Sequence, residues 1–362
     1  MAAIRIFDAL PEIYKNFLPK FFENPIPEET AATCHDCAMW KKSEVDQPDE
    51  FYYLKETKCC TYYPNLPNYL VGALLSDTDL SLESGRTQIR KTIQSRIGVM
   101  PYGLRCPGKL ALLINNSPDA FGRSPSLLCP YYDKKEGKCM IWPFQDASCN
   151  TWFCKFAAGE DGKAFWLSLK NYLKTVEKTL IRYTLYKMGW IPKKTILEEP
   201  SDSQLKARDV DDQPLDQESY RDVWGDWVNR EEEFYKETSR LVHSLTPGAF
   251  EKIGGISLRI LLEEVKLRRK NLLKPKLPDR LKRNPKLEVE KMEDGFYRLV
   301  GYAPRDPLEV SKRVYDLLDF FDGRKMNKEV FRLVQKQMEA EPTEDLLTSL
   351  YQFRILVSHE NK

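Results

Sequence analysis

Apolar residues at helical spacing organise the chain from about residue 163 onward. Phe165, Trp166, Leu169, Leu173, Val176, Leu180 and Leu185 predict a helix over 163–188, which Gly189 can end. Tyr220, Val223, Trp224, Trp227, Phe234, Leu241 and Leu245 predict a second over 219–245, stopped by Thr246-Pro247-Gly248. A shorter helix is predicted over 256–273. Between the first two, 191–217 is polar, acidic and punctuated by proline, the pattern of a linker or a long surface loop. From 277 the pattern changes. Two runs of strand character, 287–292 and 296–302, flank Glu293-Asp294-Gly295 and read as a hairpin. Asp306-Pro307 offers an N-cap and a first-turn proline to a helix carrying Val310, Val314, Leu317, Leu318 and Phe321. Another amphipathic run holds Val330, Phe331, Val334 and Met338. Pro342-Thr343 opens a last one with Leu346, Leu347, Leu350 and Tyr351. A hairpin followed by three short helices reads as a small winged-helix-like domain over 277–362.

The first half is written differently. Glycine and proline are frequent from 64 to 162, which predicts loops rather than long regular elements. All nine cysteines lie in the first half of the chain, eight of them in tight groups. They are Cys34 and Cys37 in a C-x-x-C, the adjacent pair Cys59-Cys60, and then Cys129, Cys139, Cys149 and Cys154. A thiolate is a soft anionic ligand, and four can enclose one zinc ion or one iron–sulfur cluster. Aromatic residues crowd these positions, among them Trp40, Tyr62, Tyr63, Tyr131, Tyr132, Trp142 and Trp152, as an apolar shell around a metal–thiolate site would. The expected organisation is therefore α+β and mostly helical. It comprises a cysteine-rich metal-binding domain over 1–190, a linker or surface loop over 191–217, a helical segment over 218–276 and the winged-helix-like domain over 277–362.

Composition narrows the function classes. A chain of 362 residues suits roughly two to three domains. An apolar fraction of 42% is ordinary, and a net charge of +2 gives no global pull towards nucleic acid or membrane. No apolar stretch of about 18 residues is present, so no membrane span is expected. The opening Met1-Ala2-Ala3-Ile4-Arg5-Ile6 lacks the basic-then-apolar pattern of a secretory signal, so a cytoplasmic location is expected. In that reducing compartment the thiols are expected to be metal ligands or redox groups, not disulfides. Cys106 stands apart and reads as a buried or idle thiol. His35 lies inside the C-x-x-C, which does not require it. With only three histidines, a His-based catalytic site has little material.

The run Cys129-Pro130-Tyr131-Tyr132-Asp133 … Gly137-Lys138-Cys139-Met140-Ile141-Trp142 … Cys149 … Cys154 resembles the YkgJ-type cysteine-cluster family. Cys34-x-x-Cys37 and Cys59-Cys60 are similar to that family's N-terminal elements. The resemblance covers roughly residues 34–156. It implies zinc or iron chelation by Cys34, Cys37, Cys59, Cys60, Cys129, Cys139, Cys149 and Cys154. One branch of the family looks like lysine methylases acting on flagellin. Two departures stand out: the C-x-x-C and the C-C pair are farther apart than usual, and Gln145-Asp146 stands near the place of an Arg-Pro pair.

A weaker resemblance links 287–356 to PqqD-type winged helices, through Val314-Tyr315-Asp316-Leu317-Leu318-Asp319-Phe320-Phe321-Asp322-Gly323-Arg324. It implies recognition of a peptide that adds a strand beside the hairpin. The basic run over 266–283 raises a nucleic-acid partner as a less favoured alternative, because the candidate recognition helix over 327–338 mixes Lys328, Arg332 and Lys336 with Glu329.

Two readings stay open. One is an iron–sulfur or iron-dependent enzyme modifying a peptide or protein. The other is a non-catalytic protein in which zinc holds a loop-rich domain and the C-terminal domain binds a partner. The sequence has no glycine-rich nucleotide loop, nucleophile elbow or HExxH motif, which leans towards the second unless the metal itself is the catalyst.

Overall fold

The structure is a computed structural model that describes residues 5–27, 37–41, 52–190, 210–338 and 342–359. Cys34, His35 and most of the predicted linker lie outside the described residues. The class is mixed α and β, mostly helical. Two compact units are present. The first combines Met1–Ile26, Thr33–Trp152 and Lys170–Leu261; the second combines Pro27–Ala32, Phe153–Leu169 and Leu262–Lys362. No helix among the described residues is long and apolar enough to cross a membrane.

The first unit begins with short 3-10 turns and then β1 (Leu66–Pro67), α1 (Asn68–Ser76), α2 (Glu83–Ser95), β2 (Val99–Met100), β3 (Gly103–Leu104) and α3 (Gly108–Asn116). The three strands pair antiparallel in the order β1-β3-β2. A small hairpin of β4 (Tyr132–Asp133) and β5 (Lys138–Cys139) precedes the single-turn helix α4 (Ala147–Asn150). The long helix α5 (Gly159–Lys187) matches the predicted element, and its stripe Leu173, Val176, Leu180 and Leu185 is buried as the periodicity requires.

The predicted 219–245 helix is two helices, α6 (Gln217–Trp224) and α7 (Glu231–His243), separated by a 3-10 turn. Gly225 takes a left-handed φ of 54°, and only a residue without Cβ turns the chain there cheaply. The break puts the Trp224 ring against Phe234 and Tyr235 at 5.5 and 5.7 Å, so aromatic residues on both helices face one core. That shared core explains why the apolar pattern runs unbroken across the turn. The next helix, α8 (Pro247–Leu273), starts earlier than expected and bends at Gly255, beside the predicted start. Helix α1 packs closely on α7. A Cβ on Gly72 would lie 1.8 Å from the Tyr235 carbonyl oxygen, so glycine sets this approach.

In the second unit follow β6 (Leu281–Arg283), β7 (Glu288–Lys291), β8 (Tyr297–Val300), β9 (Leu308–Val310), α9 (Lys312–Leu317), α10 (Asn327–Met338), α11 (Glu344–Gln352) and β10 (Leu356–Ser358). β7 and β8 form the predicted hairpin, with Val289 opposite Leu299. Thr343 caps α11 by accepting the Leu346 N–H at 3.1 Å. Leu299, Leu318, Val334, Leu350 and Leu356 are fully buried together.

Three strands of this unit were not anticipated. β9 extends the hairpin to three strands, and β6 pairs with β10 in a separate antiparallel ladder. Asp306 does not cap a helix. It is buried, and its carboxylate accepts the Phe156 N–H at 2.9 Å and the Tyr302 hydroxyl. The chain after it therefore runs on as a strand, and α9 starts only after Ser311. The stretch after Cys154 is held by the same region: Arg354 pairs with Glu160 and Asp161, and Lys163 lies over the Tyr302 ring.

Candidate functional site

The Cys59-Cys60 pair sits on a turn built by buried threonines. Thr57 Oγ1 donates to the Gly122 carbonyl at 2.6 Å, and the Gly122 N–H donates to Thr61 Oγ1 at 2.6 Å. The Leu54 N–H reaches the same Gly122 carbonyl at 2.9 Å. These bonds fix the turn to the segment before Cys129. The Cys129 N–H then donates to the Cys60 carbonyl at 2.7 Å, which lays the two cysteine segments side by side.

Cys139 enters on the hairpin, directly opposite Tyr132, with the Met140 N–H bonded to the Tyr131 carbonyl at 2.8 Å. Cys149 enters on α4. Asp146 is the N-cap, accepting the Cys149 N–H at 3.0 Å. Its carboxylate is fully buried and is met by the Lys174 ammonium of α5 at 2.6 Å. Lys174 also pairs with buried Glu177 at 3.3 Å, and Glu177 accepts the Ala147 N–H at 2.6 Å. One ammonium between two buried carboxylates thus anchors the turn that carries Cys149.

At three of these cysteines the surroundings disfavour the thiolate. Cys59 is held well above the usual thiol range, first by its hydrogen bond with Cys60 and then by burial, while Lys58 pulls the other way. Burial is the main cause of the rise at Cys129, with Cys139, Asp146 and Cys106 adding to it. Burial also leads at Cys149, followed by Asp146, Cys129 and Cys139. Cys129, Cys139, Cys149 and Asp146 therefore share one neighbourhood. Anions raise one another there, and a bound cation would reverse the balance.

Of the eight thiols predicted as ligands, the first unit brings Cys129, Cys139 and Cys149 together, with Cys59 and Cys60 on the adjoining turn. Cys37 is half-buried in the turn that its carbonyl closes with the Trp40 N–H. Cys154 is counted in the second unit. Cys34 lies outside the described residues. Cys106, which spacing marked as idle, packs on the same core as Cys129 and Cys139, and its N–H is held by Asn65 Oδ1 at 2.9 Å. Nothing in the sequence around Cys106 signals this. Lys58, Lys174 and Glu177 were likewise missed. Asp146 could have been found, because an Asp three residues before Cys149 is a helix-start pattern.

Cysteines 37, 59, 60, 106, 129, 139, 149 and 154 are all free of disulfides. Their chemistry suits zinc or iron. The positions do not close into a ligand sphere: among the described residues no group of three or more Cys, His, Asp or Glu surrounds a point that could hold an ion. Compared with family models, curated proteins and solved structures, the chain finds no match.

Proposed function

We propose that the first unit is a metal-binding cysteine cluster that takes zinc or an iron centre, with Cys59, Cys60, Cys129, Cys139 and Cys149 as its candidate ligands. The observation that carries this reading is the gathering of unbridged, half-buried cysteines from separate segments, with the Cys129 N–H bonded to the Cys60 carbonyl and Cys139 and Cys149 in the same neighbourhood as Cys129. The resemblance to YkgJ-type clusters supports it. Iron would make chemistry on a peptide or protein the function; zinc would make the unit a scaffold. The test is metal analysis and absorption spectroscopy of full-length protein purified without oxygen. Stoichiometric iron with acid-labile sulfide supports a cluster, and colourless protein with bound zinc supports the scaffold. Folded protein that carries neither metal and acquires none on titration overturns the reading.

A second reading concerns the C-terminal unit and rests on β7. This strand ends the sheet order β7-β8-β9, and all four of its residues are exposed. The Met292 N–H bonds to the Phe296 carbonyl at 2.9 Å. By antiparallel alternation, Glu288 and Glu290 then direct their backbone groups to β8, and Val289 and Lys291 direct theirs to the open edge. An extended peptide can add a strand there. Val289→Pro removes an outward donor and leaves the β8 ladder intact. Peptides selected on the wild-type chain should therefore lose binding to Val289→Pro. Equal binding by both proteins rejects strand addition at this edge, and binding of duplex DNA that weakens steeply with salt would favour the basic run over 266–283 instead.

A further inference from the structure

Lys58 stands in an unusual place. Its φ is 51°, in the left-handed region where glycine is the easy residue and a Cβ carries a steric cost. Its side chain is buried, with the residue only 6% exposed. The ammonium donates to the Gly137 carbonyl at the end of the β4–β5 hairpin. It also lies 5.0 Å from the Trp40 ring centre and 5.8 Å from that of Tyr132. Strain of this kind persists where surroundings hold it, and it points to a role beyond turning the chain.

Three cysteine-bearing segments meet at this one side chain. Trp40 follows Cys37 in a short turn, and that turn is tied to the next segment by the Tyr53 N–H bonded to the Met39 carbonyl at 2.9 Å. Cys59 is the next residue in the chain. Tyr132 and Gly137 belong to the hairpin that carries Cys139, with Tyr132 directly opposite it. A glycine at 58 would serve the backbone better but would bring none of these segments together.

We propose that Lys58 is a positioning residue: a buried cationic latch that fixes the Cys59-Cys60 turn against the Cys139 hairpin and the Trp40 turn, and sets a positive charge beside thiols that bind metal as anions. The second half rests on the metal-binding reading above; the latch itself does not. Coulomb attraction to the rings and the carbonyl dipole orients the loops. The fixed charge then offsets the negative charge that accumulates when several thiolates surround a divalent ion.

The test uses the full chain with Lys58→Met, Lys58→Arg and Lys58→Gly. Hydrogen exchange of segments 57–63 and 132–140 is read in metal-free protein, and zinc affinity by competition with a chromophoric chelator. Lys58→Met is expected to speed exchange in both segments and to weaken zinc binding by about 10–100-fold, the usual cost of losing an outer partner of a metal site. Lys58→Arg should restore most of both. Lys58→Gly should behave like Lys58→Met although it relieves the strained φ. Exchange and zinc affinity equal to wild type in Lys58→Gly would overturn the proposal and leave a turn residue only. If wild type binds no zinc or iron, the metal reading fails by itself, and unchanged exchange in Lys58→Met is then what overturns the latch. Should Lys58→Met not fold, Trp40→Leu removes one ring and must speed exchange in 57–63; unchanged exchange there has the same consequence.

Discussion

A single lysine holds two carboxylates in the interior of the first unit. Asp146 is fully buried and Glu177 is 4% exposed, and both take their charge compensation from Lys174. Burial makes each charge depend on its partner, because removing one side of a buried pair leaves the other uncompensated. Lys174→Met is therefore expected to destabilise the chain by about 3–5 kcal/mol in urea unfolding. Glu177→Gln keeps an oxygen to accept the Ala147 N–H and removes one of the two negative charges, so its cost should stay near or below about 1 kcal/mol. Comparable losses for the two variants would contradict the arrangement. The consequence reaches the thiols. Lys174 and Glu177 anchor the turn of α4, so Lys174→Met should also loosen Cys149, seen as faster alkylation of that thiol in folded protein.

At the scale of elements, the α1–α7 contact is set by the absence of a side chain. A methyl group at Gly72 would meet backbone, not a movable side chain, and two helices would have to separate. Gly72→Ala is expected to cost about 3 kcal/mol, towards the upper end for overpacking. At roughly 2–4 °C per kcal/mol for a unit of this size, Tm should fall by on the order of 6–12 °C in calorimetry. An unchanged Tm would show that the helices are not so closely apposed.

What the sequence revealed at this scale follows from how local each signal is. Helix α5, helix α10, the Thr343 cap and the β7–β8 hairpin were legible, because periodicity, capping and a tight turn are short-range properties. The β6–β10 ladder was not. It pairs Lys282 with Val357, and neither short run has a pattern of its own. Asp306 looked like a cap, and its true partner, the Phe156 N–H, is far away in sequence. The same division holds for the site. Grouping marked Cys129, Cys139, Cys149 and Cys154 as one set, and Cys154 falls in the other unit. Cys106, Lys58 and Lys174 come to the first three only through tertiary contacts, which spacing does not encode.

For the whole molecule, the buried charges set how stability depends on pH. Glu177 is raised to about 7, chiefly by burial and further by Asp146, while Lys174 and the Ala147 N–H pull it down. In the unfolded chain the same carboxyl titrates near 4.3. The folded state thus keeps a proton that the unfolded state has already released. The stability this group contributes is complete below the ordinary glutamate range and is lost as pH rises through about 7. Surface pairs act in the opposite sense. Asp8, beside Arg5, and Asp322, beside Lys325, are each lowered to about 2 by hydrogen bonds, so their contribution exists above the ordinary aspartate range and fades as pH falls towards 2. Between about pH 4.5 and 7 these surface pairs are constant, while Glu177 releases its proton from the folded state. Urea unfolding of metal-free protein should therefore show stability falling as pH is raised across that window, by the linkage of at most one proton. Glu177→Gln has no proton to release there and should flatten the dependence. Equal slopes in the two proteins would mean that Glu177 ionises alike in the folded and unfolded chain, and that the Asp146–Lys174–Glu177 group is open to water.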